Sequence, residues 1–332
     1  MSHRVFLWTI VVLWPLLSVA QQPMQVIKEH KQQKFPRDIP AGHYSGITYL
    51  GDDRYAVVSD KSAEDGFFVF HIELDKESGK ILQVHNEGFR SSGKSNRDLE
   101  GIAYNPFART LYICGEAGNQ ILEYTLEGQH TGRSLRVPDV YKQSRTNLGF
   151  EALAFDPQQR LFWAVNEGTL KCDGEQASAV HPVRNRLRLQ SFDTDTNPQR
   201  QLLYEMDEPQ ASKAGRFYAM GVSALCALDN GQLLVLEREA YVSKSKIGSW
   251  VHCKLYVVST LQASEGELLQ KTLLTEFRTR LNLLRQNFAD YEGMCLGPEL
   301  SDGSRVLLLI CDSQNQYGGM LRDWLKVITI KM

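Results

Sequence analysis

The residues of this chain with the clearest potential for chemistry are acids that recur at matched places in a repeated pattern. The stretch from Asp98 to Glu116 reads as a short strand, a turn at Asn105-Pro106 and a second strand, with an acid at each end. Four other stretches repeat this pattern. The first strand of each copy opens with Ser45, Glu100, Glu151, Ser223 and Glu292, and the second closes with Asp60, Glu116, Glu167, Glu237 and Asp312. Eight of these ten positions carry a carboxylate.

Two neighbouring antiparallel strands place the start of the first beside the end of the second, so the acids of each copy share one sheet edge. Like charges about 4 Å apart repel by roughly 4 kcal/mol at an effective dielectric constant near 20. Protonation, basic partners or a bound cation can offset that cost. Lys61, Arg97 and Arg238 each adjoin an acid of the pattern and supply part of the positive charge.

Oxygen ligands from Asp, Glu and Asn suit Ca²⁺ better than zinc or copper. We therefore expect calcium at the shared edge. The five preferred ligands are Asp60, Glu100, Glu151, Glu292 and Asp312, with Glu237 nearby. Asn96, Asn147 and Asn287 each precede a repeat glutamate by four or five residues and would add neutral oxygens. The alternative is a purely structural role, in which the acids bond backbone N–H groups and neighbouring strands.

The repeat also predicts the fold. Each copy holds four strands except the last, which holds three, and the acids that close the second strands recur every 51 to 75 residues. Four-stranded antiparallel units at such a period are typical of β-propeller blades. We predict an all-β chain that forms a single β-propeller. Five blades are favoured, and a sixth is left open by two long segments, Lys171 to Arg186 and Val242 to Val251.

The segment Met24 to Lys34 would supply the missing strand of the last blade and close the ring, which removes exposed sheet edges. A β-sandwich is the alternative, but it does not explain why the two-strand pattern recurs five times with its acids in register. In a propeller the first strand of each blade lines the central channel. The acids would then crowd one mouth of that channel.

The bulk composition is that of an ordinary folded chain. Its 332 residues are 42% hydrophobic with a formal net charge of −2, which argues against disorder and against a general nucleic-acid surface. Residues 1–20 combine a weakly basic start, an apolar run from Val5 to Leu17 and small residues at Ser18 to Ala20, the pattern of a secretory signal peptide.

We expect cleavage near Gln21 and a periplasmic or extracellular domain over residues 21–332. The apolar run is shorter than the roughly 20 residues that span a bilayer, so no stable membrane insertion is expected after cleavage. The mature protein is expected to be a monomer.

The chain has six cysteines, which in an exported protein raise the question of disulfides. Cys114, Cys226, Cys295 and Cys311 lie in apolar strand patterns, where cysteine behaves as a small buried apolar residue. Cys172 and Cys253 lie in more polar surroundings and form the one pair considered for a bridge. No CxxC motif occurs, so a zinc knuckle has no support.

Several short motifs together resemble a known family. They are Ser45-Gly-Ile, Asp98-Leu-Glu-Gly-Ile-Ala, Phe150-Glu-Ala-Leu-Ala, Leu236-Glu-Arg238, Tyr291-Glu-Gly-Met and Cys311-Asp-Ser-Gln-Asn315. As a set, over about Pro40 to Ile330, they resemble the exported phytase-like family, described as having esterase-like activity of phytase. The chain is also broadly similar to gluconolactonase-type propellers, in which Glu, Asn and Asp hold a metal at the central opening.

The resemblance implies a propeller, a calcium-assisted ester or phosphoester hydrolase, and a site at the acid-lined mouth. Ala152 and Ser223 depart from the repeat, since they stand where other copies have glycine and an acid, so the ring of acids is asymmetric. The rim is also poorer in lysine and arginine than a pocket for a highly phosphorylated inositol requires.

The sequence thus favours an exported, calcium-assisted hydrolase that acts on a small-molecule ester or phosphomonoester. The catalytic candidates are His43 as acid or base, Arg238 as the contact for an anionic substrate group, and Glu237 beside them. Two alternatives stay open: a non-catalytic binding propeller with a structural metal, and a lactonase-type hydrolase.

Overall fold

The computed structural model describes residues 24–37, 39–281, 287–317 and 321–332. These residues form five antiparallel sheets, and the first strands of the sheets contact one another in a closed cycle. The predicted five-bladed propeller is therefore confirmed. The predicted signal peptide, residues 1–20, lies outside the described residues.

The blades follow one another along the chain. Blade 1 contains β3 (Tyr44–Gly51), β4 (Arg54–Ser59), β5 (Glu64–Leu74) and β6 (Ile81–Ser95). Blade 2 contains β7 (Leu99–Asn105), β8 (Thr110–Gly115), β9 (Gln120–Tyr124) and β10 (His130–Ser134). Blade 3 contains β11 (Phe150–Asp156), β12 (Leu161–Asn166), β13 (Arg186–Phe192) and β14 (Pro198–Glu205). Blade 4 contains β15 (Phe217–Ala227), β16 (Gln232–Val242), β17 (Trp250–Ser259) and β18 (Lys271–Arg280).

Blade 5 closes the ring with strands from both ends of the described chain. It contains β19 (Asp290–Glu299), β20 (Arg305–Asp312) and β21 (Trp324–Lys331), and its outer strand is β1 (Gln25–Glu29). The short strand β2 (Gln33–Lys34) also pairs with β21. The prediction that Met24 to Lys34 completes the last blade is confirmed, although the segment forms two short strands.

The inner hairpins form because their turns satisfy their own backbone. The Asn105 side chain accepts hydrogen bonds from the backbone N–H groups of Phe107 and Ala108 at the turn between β7 and β8. Asp156 does the same for Gln158 and Gln159 in blade 3. Short Asn and Asp side chains stabilise tight turns in this way. The Asn-Pro and Asp-Pro sequences therefore mark equivalent turns, at the end of the channel opposite the acids.

Apolar clusters fill the space between successive blades, so the middle strands are covered on both faces. In β20, every residue from Val306 to Cys311 is buried. A strand buried on both faces reads as an unbroken apolar run rather than as an alternating one. This burial holds each first strand firmly against the channel axis.

Two possibilities that the sequence left open, a sixth blade and a disulfide, are not found among the described residues. The segments Lys171 to Arg186 and Val242 to Val251 connect strands within blades 3 and 4, and the described residues form no sixth sheet. All six cysteines are described and each is a free thiol, with Cys172 exposed and Cys253 buried. The Cys172–Cys253 bridge that the sequence left open does not form, because Cys253 belongs to the apolar core between blades 4 and 5. None of the described residues forms a helix with the length and apolar character that a bilayer crossing requires.

Candidate functional site

The first strand of every blade has a β-bulge where the sequence pattern placed its opening residue. At this point the pairing with the second strand shifts register in all five blades. The residues at these bulges are Ser45, Glu100, Glu151, Ser223 and Glu292. A bulge breaks the ordinary alternation of side chains and redirects one of them. The two serines use this freedom to join neighbouring blades, since Ser45 Oγ donates to Leu99 O over 2.7 Å and Ser223 Oγ donates to Tyr291 O over 3.0 Å.

The register corrects one of the predicted residues. In each blade, the residue two positions before the bulge pairs with a residue at the end of the second strand. That second-strand residue faces the mouth. These facing residues are Asp60, Glu116, Glu167, Arg238 and Asp312. The alignment of Glu237 with the other acids is therefore wrong by one residue. It assumed that the strand ends at Glu237, whereas β16 continues to Val242.

Adjacent residues of a strand face opposite sides, so this one-residue error moves Glu237 away from the mouth. Its carboxylate accepts hydrogen bonds from Tyr204 Oη over 2.7 Å and from Lys271 Nζ over 2.6 Å. Both partners lie on outer strands of blades 3 and 4. Glu237 is 3% exposed and contacts none of the mouth carboxylates by hydrogen bond. Glu237 therefore lies apart from the other predicted site residues, on the opposite side of β16.

Two further acids join the mouth from the positions that precede the bulges. Asp98 lies two residues before Glu100, and Asp290 lies two residues before Glu292. The same-face period of two along a strand was the signal that could have found them. The described residues thus place nine carboxylates at the mouth: Asp60, Asp98, Glu100, Glu116, Glu151, Glu167, Asp290, Glu292 and Asp312.

The positive charge that faces these acids is much smaller. Lys61 Nζ contacts Asp60 Oδ2 over 2.9 Å and also pairs with Asp98. Arg238 contacts other members of the set, and His43 adds a charge only when it is protonated. The mouth therefore has a large excess of acid among the described residues.

Arg238 lies across one side of the mouth. Its Nη2 contacts Glu167 Oε1 over 2.5 Å, and its Nη1 contacts Asp290 Oδ2 over 3.1 Å and Glu292 Oε1 over 2.5 Å. Its side chain is 6% exposed. Both terminal nitrogens are thus occupied by carboxylates of the protein. The predicted contact between Arg238 and an anionic substrate group is not available in this arrangement.

Two buried glutamates have no such partner. Glu100 is 8% exposed and Glu151 is 7% exposed, and neither carboxylate makes a hydrogen bond or an ion pair with any described residue. Asp60 Oδ1 and Asp290 Oδ1 are also buried without a hydrogen bond within the described chain. Buried polar groups are normally paired, so the two aspartate oxygens call for a ligand or a proton, and the glutamates beside them have no partner in the described chain either.

Burial and mutual repulsion raise the pKa values of these acids. Burial, followed by the charges of Glu151 and Glu292, holds the pKa of Glu100 well above its usual range. Burial and the charge of Glu167 do the same for the pKa of Glu151. Burial raises the pKa of Asp312 to about 8, although Gln314 partly offsets the shift through its backbone N–H. Both causes favour the protonated form of these carboxylates, and a bound cation would favour the ionised form instead.

His43 stands at the border between blades 1 and 5. Its Nδ1 is 3.7 Å from Asp60 Oδ1 and 3.6 Å from Asp312 Oδ1, and it makes no hydrogen bond with the described residues. Together with Lys61 and Asn315 it lines a depression of about 210 Å³ that lies beside the acids. The Lys61 side chain is 54% exposed, so it is the more accessible of the two permanent cations.

The channel is almost closed beneath the acids. The space among the first strands amounts to about 10 Å³, which is about the minimum for one water molecule. Glycines allow this close approach: a Cβ on Gly46 would lie 2.3 Å from Glu100 O, and one on Gly101 would lie 2.7 Å from Leu153 N. The glycine after the acid in the repeat therefore packs one first strand against the next. The mouth is a cup with a floor rather than an opening into a tunnel.

The comparison with known families decides the membership of the chain. It matches the Phytase-like family, described as "Esterase-like activity of phytase", over residues 39–314. The chain belongs to the Phytase-like family. The propeller fold and the predicted family are both confirmed, and membership suggests a hydrolase-type propeller.

Comparison with curated protein sequences found no match. Among solved structures, an endo-arabinase from Bacteroides thetaiotaomicron VPI-5482 is 10% identical with a TM-score of 0.47, covering 89% of this chain and 95% of that one. The PQQ domain of a pyranose dehydrogenase from Coprinopsis cinerea is 11% identical with a TM-score of 0.44, covering 93% and 97%. A streptogramin B lyase is 11% identical with a TM-score of 0.38, covering 91% and 98%.

The mouth of this phytase-like propeller has the donor chemistry that a hard cation requires. Two groups of three acids have carboxylate oxygens within 4.8 Å of one another: Asp60 with Asp98 and Glu100, and Glu116 with Glu151 and Glu167. Calcium binds six to eight oxygen ligands, and carboxylates are its usual protein ligands. Each group has acids without a partner in the described chain that would suit such an ion: Glu100 and the Oδ1 of Asp60 in the first group, and Glu151 in the second. Asn96 fits less well, because its amide already bonds Ser59 O and the N–H of Asp98.

Proposed function

We propose that this protein is an exported, calcium-assisted hydrolase of ester or phosphomonoester bonds, with its site at the acid-lined mouth. The observation that carries the proposal is the pair Glu100 and Glu151, two buried carboxylates without a partner in the described chain. Each unpaired buried acid lowers the stability of the fold, so the presence of two such acids side by side indicates a functional role. Family membership supports a hydrolase-type propeller as the setting.

Glu100, Glu151 and Asp60 are the proposed calcium ligands, and Glu116 lies beside them. When bound, the ion would act as a Lewis acid on the ester oxygen and lower the pKa of a coordinated water. The remaining sequence candidates, Glu292 and Asp312, have other contacts, with Arg238 and with Gln314. We propose them as positioning residues at the rim.

The substrate would bind in the depression beside the acids, where Lys61 and His43 would contact it. Lys61 is exposed there and would contact an anionic substrate group. His43 Nδ1 is buried between Asp60 and Asp312 without a hydrogen bond, so it would exchange a proton with a reacting group through these carboxylates. A proton donor at this place would serve a leaving alkoxide.

Export remains part of the proposal because residues 1–20 have the composition of a signal peptide. Periplasmic and extracellular fluids contain far more free calcium than cytosol, and extracellular calcium modules bind with dissociation constants of about 10⁻⁴ to 10⁻³ M. A calcium site of moderate affinity would therefore be filled after export. The proposed substrate is a small molecule, and a monomer suffices because all the named residues belong to one chain.

The test is an assay on p-nitrophenyl esters, p-nitrophenyl phosphate and simple lactones, each with Ca²⁺ and with EGTA. We expect turnover of at least one class that EGTA abolishes and Ca²⁺ restores. Glu100→Gln should lower the rate by at least about 100-fold, as expected for loss of a ligand to the catalytic ion. The matched control is Glu123→Gln, another buried glutamate, which bonds Thr110 and Thr131 on blade 2. Absence of chelator-sensitive turnover on every class would overturn the enzymatic proposal.

A binding propeller with a structural metal is the second candidate, and the shallow site favours it. The channel is closed beneath the acids, and the adjacent depression of about 210 Å³ is smaller than the roughly 300 to 1,000 Å³ of common small-molecule sites. Under this alternative, Glu100→Gln and Glu292→Gln lower the melting temperature in calcium. Because a bound ion stabilises the fold under either proposal, turnover is the distinguishing result. Chelator-sensitive turnover in the wild type that Glu100→Gln loses would exclude the alternative.

A further inference from the structure

Arg238 occupies a position that carries an acid in the other four blades. The equivalent residues are Asp60, Glu116, Glu167 and Asp312. In blade 4 the residue that pairs opposite Gly221 is Arg238. Blade 4 therefore places a permanent positive charge at the position where the other four blades place an acid.

The structure makes room for this arginine and its partners. Glu167 of blade 3 crosses to Arg238 of blade 4 directly over Gly221, where an added Cβ would lie 2.3 Å from Glu167 Cγ. Only glycine leaves that path open. The contact between Arg238 and Glu167 thus requires a glycine at position 221 of β15.

The partners of Arg238 come from the two blades on either side of its own. Glu167 belongs to blade 3, whereas Asp290 and Glu292 belong to blade 5. A guanidinium that contacts three carboxylates within 3.1 Å does what a bound metal ion does in an acidic cluster. Glu100 and Glu151 make no such contact among the described residues, although the charge of Arg238 acts on Glu151 and partly offsets the rise in its pKa.

We infer that Arg238 takes the place of a bound cation on the side of blades 3 to 5, and so confines calcium to the side of blades 1 to 3. The inference rests on the proposed function for the identity of the ion. It assigns Arg238 as a positioning residue, since it sets where the ion binds without contacting substrate. It also assigns Glu100, Glu151 and Asp60 to the ion, and Glu292 to the arginine.

The test is the number of calcium ions bound by Arg238→Met and by Arg238→Lys, measured by elemental analysis after equilibration in Ca²⁺ and gel filtration. Arg238→Met removes the charge and should bind about one calcium ion more than the wild type, because three oxygen ligands lose their cation. Arg238→Lys keeps the charge and should bind the wild-type number. An equal count in wild type and Arg238→Met overturns the inference, even if the wild type binds none.

A second pair of variants covers the case in which Arg238→Met does not fold. Glu292→Gln and Glu100→Gln remove equivalent bulge glutamates from the two sides of the mouth. We expect Glu100→Gln to weaken calcium binding by at least about tenfold and Glu292→Gln to change it by less than about threefold, both measured by calorimetry. Equal weakening would place the ion at the centre of the mouth and overturn the inference. These readouts do not use turnover, so an inactive protein that gives the expected counts refutes only the hydrolase proposal.

Discussion

The two sides of one strand, β16, carry two buried polar clusters of opposite character. On one side Glu237 bonds Lys271 and Tyr204, while Asp207 contacts Lys254, Lys271 and Tyr256. Two acids face two lysines there. We call this set the balanced cluster. On the other side Arg238 faces a mouth with nine carboxylates and unpartnered oxygens.

The balanced cluster stabilises the fold through pairs within the chain, whereas the acids of the mouth lack enough partners within the described chain. In the balanced cluster, hydrogen bonds from Lys254 and Lys271 outweigh burial and lower the pKa of Asp207, whereas burial raises the pKa of Glu237 and Lys271 only partly offsets the rise. At the mouth, burial and neighbouring acids raise the pKa values of Glu100 and Glu292, and the nearby charges do not compensate. A pair that is satisfied within the chain lowers the free energy of the fold, whereas an uncompensated acid raises it until a proton or a cation binds.

The largest effect is expected from breaking the balanced cluster. Lys271→Met leaves Glu237 buried beside Tyr204 without its cation and should lower the free energy of unfolding by about 3–5 kcal/mol. Urea denaturation should give the same loss in EGTA and in Ca²⁺, because the cluster does not face the mouth. The control is Lys80→Met at the exposed turn between β5 and β6, expected within about 0.5 kcal/mol. A loss that calcium reverses would contradict the distinction between the clusters.

The next effect is the pH dependence of the metal-free protein. Glu100, Glu151, Glu292 and Asp312 have folded-state pKa values above those of an unfolded chain. The folded state therefore binds more protons, so the free energy of unfolding falls as pH rises from about 4 to about 8. Each proton contributes about 1.4 kcal/mol per pH unit within its window, and we expect a loss of about 2–3 kcal/mol between pH 6 and pH 8 in EGTA.

Calcium should remove most of this decline, because the ion stabilises the ionised form of the same acids. The measurement is a series of thermal melts from pH 5 to pH 8.5 with EGTA and with excess Ca²⁺. A decline of equal slope under both conditions would mean that the ion does not bind to these acids.

Glu100→Gln tests, at one residue, whether the stability of the mouth depends on calcium. Without metal at pH 8, the neutral side chain removes repulsion from Glu151 and should raise the free energy of unfolding by about 1–2 kcal/mol. In calcium the variant should be less stable than the wild type, because the ligand is lost. Glu123→Gln has no such reversal of sign, since Glu123 bonds Thr110, Thr131 and Arg133. A loss of stability in both conditions would assign Glu100 a structural role.

Much of the fold could be predicted from the sequence because the repeat is local. The strand, turn and strand predicted between Asp98 and Glu116 are β7 (Leu99–Asn105) and β8 (Thr110–Gly115), with the turn at Asn105-Pro106. Strand pairs joined by short turns leave a period-two pattern that can be read within about twenty residues. Closure by the N-terminal segment followed from counting strands, since the last copy lacked one.

The site was less predictable because bulges and contacts between blades leave little local signal. One bulge residue in β15 decided whether Glu237 or Arg238 faces the mouth. The partners of Arg238 lie 52 to 71 residues away in sequence. The excess of acidic residues could be predicted from the aligned repeats. Which of these acids contact Arg238 could not, because that depends on the pairing register of β15 and β16.

The smallest effect is expected at Lys61, the exposed cation of the mouth. Lys61 pairs with Asp60 and Asp98 on the side that we assign to calcium. Lys61→Met should change the free energy of unfolding by at most about 1 kcal/mol, as for other exposed ion pairs. It should raise calcium affinity by about two- to fivefold at low salt, because a positive charge next to the ion is removed, and this gain should shrink as salt screens the charge. Calorimetry of Lys61→Met and of the remote Lys80→Met at two salt concentrations checks this, and an equal response of the two variants would locate the ion away from Asp60.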